Sequence, residues 1–196
     1  PAPKKQPLSE KFHYDWHWFW DYGNGDRGNQ GSHEMDKARW GLQKSTLPNS
    51  AVSIGGRFGY RDNGETPNTI VTFYDYGDCE LVFEVRGLPT EGLQGAGVGN
   101  IWYGEDGMVV APSYDRAVAY DKDGKVTQEF KGGGDHYRNF VDAIRSRKVS
   151  DLNADVEEGH LSAALCHMAN ISHRLGDHVP LSAIAAPTLS DDAEGT

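Results

Sequence analysis

His33 follows Gly23-Asn24-Gly25-Asp26-Arg27-Gly28-Asn29-Gln30-Gly31 and opens a run with helical spacing. A side chain at the first turn of a helix, just after a glycine-rich loop, projects into the space that the loop encloses. Near neutral pH an imidazole can take or give a proton, which suits general acid–base work. The positive end of a helix start also favours the neutral imidazole over the cation. A capping or buried histidine fits the same position, and on composition alone that is the commoner role. Ser32 has the side chain of an N-cap.

Other residues nearby carry weaker signals. His13 and His17 are four apart and could share a metal if helical, with His33 or Asp36 joining them. The segment reads as extended and has no His-Glu-x-x-His pattern, so no metal is expected. Trp16, Trp18 and Trp20 could form a stacking platform for a sugar ring. They equally suit a buried interface, where Trp and Tyr are enriched. Gly95-Ala96-Gly97-Val98-Gly99-Asn100 invites comparison with a phosphate loop, but Ile101-Trp102-Tyr103 after it is strand-like. A dinucleotide fingerprint needs a helix there, so the stretch reads as a loop.

The elements that would position these residues are legible in outline. Residues 14–22 alternate aromatics as a short strand would, and 23–31 read as loop. Met35, Ala38 or Arg39, and Leu42 fall at helical spacing. Residues 51–61 suggest a strand ending near Asp62-Asn63-Gly64. Residues 69–74 and 79–86 suggest a hairpin around Tyr76-Gly77-Asp78, because both runs are rich in β-branched and aromatic residues. Shorter strands are predicted at 100–104, 107–111, 116–120 and 126–130. Two amphipathic helices close the chain. One spans 135–147, with Tyr137, Phe140, Val141 and Ile144 on one face. The other spans 155–175, with Leu161, Leu165, Met168 and Ile171, and Gly176 stops it. Strands followed by helices, joined by hairpins, give an α+β fold with a mainly antiparallel sheet.

Composition narrows the partners. The 196 residues carry a formal net charge of −10, which argues against a phosphate backbone as ligand. No run approaches the roughly 18 apolar residues of a membrane helix. Neither nucleic acid nor membrane is therefore expected. Cys79 and Cys166 stand alone, in neither a disulfide framework nor a metal spacing. The opening Pro1-Ala2-Pro3-Lys4-Lys5 suggests a piece of something longer, and the compartment is not readable from it.

Several stretches together resemble one family. GNGDRGNQGSHEMDKARWGL, holding Gly31, His33, Asp36 and Trp40, is similar to the motif that opens the C-terminal domain of the Gfo/Idh/MocA oxidoreductases. HYRNFVDAIRSRK (136–148) and DVEEGHLSAALCHMANISHRLG (155–176) resemble that family's two closing helices. WHWFWDYGNGD, RFGYRDNGETPN and FEVRGLPT are closest to a bacterial subgroup.

The resemblance implies an open, mainly antiparallel β-sheet packed on one face by helices, with its Rossmann domain missing. It divides the chain into a linker at 1–12, a substrate and oligomerisation domain at 13–176 and a tail at 177–196. It implies a sugar or cyclitol substrate oxidised at a secondary hydroxyl, with NAD or NADP bound mainly by the chain's own absent N-terminal domain. The fragment alone is then inactive.

In this reading His33 is the catalytic acid–base group and Asn29, Asp26 and Trp18 bind substrate. Asp36 sits behind His33 and orients it. Many sugar dehydrogenases of the family carry Asp where Asn29 stands, and an amide cannot relay a proton. One alternative is an NAD-dependent enzyme that cleaves glycosides through a transient keto sugar. Another is a non-catalytic carbohydrate-binding or assembly module. Homo-oligomers are expected through a sheet face carrying Phe73, Leu81, Phe83 and Val85. Solvent-facing Glu84 and Arg86, with the opposite residues buried on helices, would count against that face.

Overall fold

The computed structural model describes residues 12–177, so most of the expected linker and nearly all of the tail lie outside the described residues. The described residues start with a short helix, α1 (Phe12–Asp15), and a 3-10 turn at Trp16–Trp18. The aromatic stretch is thus helical rather than extended. His17 holds the turn by pairing Nδ1 with the Tyr14 carbonyl at 2.7 Å, and the Gly23 N–H closes the next turn on Phe19 at 2.8 Å. A local hydrogen bond and a reverse turn outweigh the alternation of aromatics.

The glycine-rich stretch also contains a helix, α2 (Asp26–Asn29), entered through Gly25 at φ 70°. Gln30 then keeps helical dihedrals, φ −81° and ψ −37°, and leads into α3 (Gly31–Leu42). Ser32 therefore lies inside the helix, and Gln30 occupies the cap position. The apolar spacing of α3 holds, with Met35, Ala38 and Arg39 all buried.

Among the described residues, seven strands follow in two antiparallel sheets. One has the order β1 (Ser50–Gly56), β2 (Thr69–Asp75), β3 (Glu80–Arg86). The other has β4 (Asn100–Gly104), β5 (Gly107–Ala111), β6 (Arg116–Asp121) and β7 (Val126–Lys131) in sequence order. The hairpin and the four shorter strands stand where the residue types place them, and β1 ends five residues early.

The closing helices are α4 (His136–Ser146) and α5 (Val156–Leu175). Asp135 caps α4 by accepting from the Arg138 N–H, and Asp155 caps α5 by accepting from Glu157 and Glu158. Each cap satisfies amide groups that a helix start leaves without partners.

The core lies where α3 and α5 pack over the first sheet. Met35, Tyr74, Leu165, Cys166 and Ala169 are buried together, with Leu81, Phe83 and Met168 around them. A fully buried side chain of the size of Leu or Met contributes about 1.5–3 kcal/mol. The Tyr74 hydroxyl, sealed inside, donates to the Leu165 carbonyl at 2.8 Å. Both cysteines are free thiols, and burial pushes Cys166 up to about 12.

The strand register corrects the expected sheet face. Tyr74 pairs with Leu81, Thr72 with Phe83 and Ile70 with Val85, so these six point towards the helices. Phe73 pairs with Val82 and with Val52 on the opposite, open face. There Val52, Ile54, Phe73 and Val82 are exposed, together with Glu84 and Arg86. On α4 the apolar face is formed but uncovered, with Tyr137, Phe140, Val141 and Ile144 all exposed.

Candidate functional site

The near-continuous rod of α2 and α3 sorts the candidate residues onto two faces. Asn29 and His33, four apart, are exposed along one line, and Lys37 follows four further on. Asp26, Gln30, Gly31, Glu34, Met35, Ala38 and Leu42 instead border a cleft of about 670 Å³ shared with β3 and β4. His33 and Asn29 are not part of its lining. The structure thus brings Asn29 and His33 together and places Asp26 towards the cleft.

Asp26 is half-buried, and burial pushes its carboxyl above the usual range while His17 and Arg57 pull it back. Arg57 was not singled out by sequence reasoning, yet it organises this corner. Its guanidinium pairs with Asp62, donates to the Thr66 carbonyl at 2.9 Å and lies 5.0 Å from the Trp18 ring centroid. The His17 ring is also 5.0 Å from Trp18, tilted by 39°. With Arg57 and His17 against it, Trp18 is committed to neighbours within the domain and does not offer an open stacking platform. Trp20 likewise has Arg174 at 5.1 Å from its ring.

Asp36 does not back His33. Its carboxylate accepts from Ser162 Oγ at 2.8 Å and lies 3.7 Å from Arg39, towards α5. Arg39, 2% exposed, also reaches Glu158 at 2.9 Å and Ser162 at 3.0 Å. Asp36 therefore helps tie α3 to α5.

What stands beside His33 is Tyr114, from the β5–β6 turn. The two rings lie 6.0 Å apart at 68°. Gln30 Nε2 donates to the Tyr114 hydroxyl at 2.5 Å and to Glu34 at 3.0 Å. Lys37 Nζ sits 4.4 Å from the Tyr114 ring centroid and 3.4 Å from Glu34 Oε1. Burial and then the Glu34 charge push the Tyr114 hydroxyl up, with Gln30 pulling it back. Gln30 and Lys37 flank His33 at helical spacing, which is a signal the sequence offers. Tyr114 arrives from a distant turn and carries none.

Neither histidine pair nor glycine loop changes this picture. His17 is buried on its own backbone partner while His13 is exposed. Among the described residues no group of three or more His, Cys, Asp or Glu is placed to hold a metal. The Gly95–Asn100 loop runs straight into β4 and does not open a helix, as a dinucleotide fingerprint would. Among the described residues no helix is long and apolar enough to cross a membrane.

A family model described as the oxidoreductase family C-terminal alpha/beta domain, of the Gfo/Idh/MocA group, matches residues 1–194. The chain belongs to the Gfo/Idh/MocA oxidoreductase family. It is that family's C-terminal α/β domain, and the helices and antiparallel sheets described above agree with it. Among curated proteins no match was found.

Solved structures share the fold. The Bacillus subtilis protein yvaA aligns over 77% of this chain and 51% of its own, with 17% identity and a TM-score of 0.56. The WlbA dehydrogenase of Bordetella pertussis, in complex with NADH and UDP-GlcNAcA, aligns over 92% of this chain and 52% of its own. Its identity is 17% and its TM-score 0.55. The chain spans about half the length of these relatives.

Proposed function

We propose that this chain is the substrate-side domain of an NAD(P)-dependent oxidoreductase that acts on a secondary hydroxyl of a sugar or cyclitol. The observation that carries the reading is His33. It is exposed on a rigid helix, in line with Asn29 and beside Tyr114, in a chain of this family. The WlbA complex, with a nicotinamide and a nucleotide sugar in a related fold, supports the choice of cofactor and substrate class.

The residues described here do not form a nucleotide site, since neither glycine-rich loop stands between a strand and a helix in the required way. The nicotinamide belongs to an N-terminal Rossmann domain, and its chemistry is to accept a hydride. This domain supplies the proton chemistry and the grip on substrate. The His33 imidazole takes the proton of the reacting hydroxyl as the carbon is oxidised. Asn29, as both donor and acceptor, holds a neighbouring hydroxyl without relaying a proton. Asp26 lines the neighbouring cleft and offers its carboxylate to a part of the substrate that reaches into it. Alone, the chain is inactive.

The exposed Val52, Ile54, Phe73 and Val82 support self-association through the open sheet face, while solvent-facing Glu84 and Arg86, with Leu81, Phe83 and Val85 turned to the helices, count against it. The test of the function uses the full-length protein with a panel of sugars and inositols plus NAD or NADP. Build-up of reduced cofactor with one of them is the expected outcome. Release of an aglycone from a glycoside with no net reduced cofactor would assign glycoside cleavage instead. Neither product would leave a binding or assembly module.

A further inference from the structure

We propose that Tyr114 is the positioning residue of His33: its ring fixes the direction in which the imidazole faces substrate. The inference rests on the reading of His33 as the acid–base group. An exposed histidine on a helix is free to change rotamer, whereas proton transfer needs a heavy-atom separation of about 2.6–3.2 Å in the reacting complex. Something must hold the ring. Aromatic rings favour edge-to-face contacts with centroids about 4.5–7 Å apart, and the His33–Tyr114 pair, at 6.0 Å and 68°, has that geometry.

Tyr114 is itself gripped, although it is 63% exposed. Gln30, Glu34 and Lys37 recur every three or four residues along the rod, and all three converge on it. Gln30 holds the hydroxyl at 2.5 Å, and Lys37 covers the ring at 4.4 Å while paired to Glu34 at 3.4 Å. The turn that presents Tyr114 is fixed in its turn. Ser113 Oγ donates to Asp115 at 2.6 Å, and the Asp115 carbonyl accepts from Gly132 at 2.8 Å. A tyrosine needed only for burial would not stay this exposed while three side chains immobilise it. The ring is what touches His33, and the hydroxyl serves as its anchor.

The test uses the full-length protein and two readouts. In the first, the His33 ring-proton NMR signals, assigned through His33→Gln, are followed in Tyr114→Ala, Tyr114→Phe and Gln30→Ala. The expected result is a clear shift of the His33 signals in Tyr114→Ala, with Tyr114→Phe close to the parent and Gln30→Ala between them. Unchanged His33 signals in Tyr114→Ala would overturn the proposal without any substrate in hand. Gln30→Ala keeps the test open should Tyr114→Ala fold poorly.

In the second, turnover of the sugar and inositol panel with NAD is compared. Tyr114→Ala is expected to lose about tenfold to a hundredfold, mainly in kcat, as misplacement of a reacting group does. Tyr114→Phe is expected to recover most of it. A Phe variant as impaired as the Ala variant would overturn the positioning role by giving the work to the hydroxyl. Full activity in His33→Gln would instead sink the acid–base reading, while the NMR result would still report on the contact itself.

Discussion

Asp26 shows how a single residue is set by its surroundings. Burial raises its carboxyl above the ordinary aspartate range, so the folded state holds the proton more tightly than the unfolded chain. Between the unfolded value and the raised one the native state binds more protons, and stability falls as pH rises through that window. Asp26→Asn removes the penalty. The expected outcome is a higher melting temperature than the parent at neutral pH, a difference that shrinks as the pH drops below the unfolded value. Equal melting temperatures at pH 7 would show that His17 and Arg57 already offset the burial. At this scale the sequence is a partial guide. His33 stands out because its residue type and its place at the start of a helical run suffice, whereas Asn29 enters only through the family resemblance, since 23–31 reads as loop and hides the helix that puts the two on one line. Tyr114 and Arg57 do not stand out, because each reaches the α2–α3 region or its neighbourhood through tertiary folding that no local pattern encodes. Asp36 misleads for the opposite reason: its helical spacing from His33 is right, but α5 offers Ser162 as a partner.

The contact between α2 and α5 carries the least ordinary choice in the core. Arg27 is 2% exposed, and Nη1 donates to Asn170 at 2.9 Å, while Nε and Nη2 have no hydrogen-bond partner among the described residues. Burial lowers its pKa to about 10. A buried cation without a carboxylate is costly, and replacing such groups by apolar residues of similar size is commonly neutral or stabilising by about 1–4 kcal/mol. Arg27→Met should raise the urea midpoint of the domain. A lower midpoint would mean that a partner outside the described residues satisfies the guanidinium. The elements themselves were legible where one physical signal dominates. β2 and β3 carry alternating β-branched and aromatic residues, and α5 combines an apolar stripe with Asp155 as its cap. Tyr14–Tyr22 is illegible for a clear reason. Its aromatics alternate like a strand, yet a His17 side chain bonding three residues back and a turn closed by Gly23 fold the backbone tightly. α2 is hidden too, since Gly25 enters and Gly28 lies within a helix where glycines ordinarily signal loop.

Among the described residues, the open face of the first sheet and the exposed stripe of α4 are both apolar, in a chain about half the length of the relatives it matches. Exposed apolar surface of this kind marks contact with other surfaces. On the sheet face the expected outcome is self-association in a sedimentation run at high concentration, abolished by Phe73→Glu at the centre of the Val52–Phe73–Val82 row. A strict monomer would leave Glu84 and Arg86 as the feature that defines the face. The chemistry assigned to His33 is tested by turnover of the sugar and inositol panel by the full-length protein beside its His33→Ala variant. The expected variant folds normally and loses about two to four orders of magnitude, the range for removal of a general acid–base group. A variant as active as the parent would make His33 a structural residue and move the chemistry elsewhere in the protein.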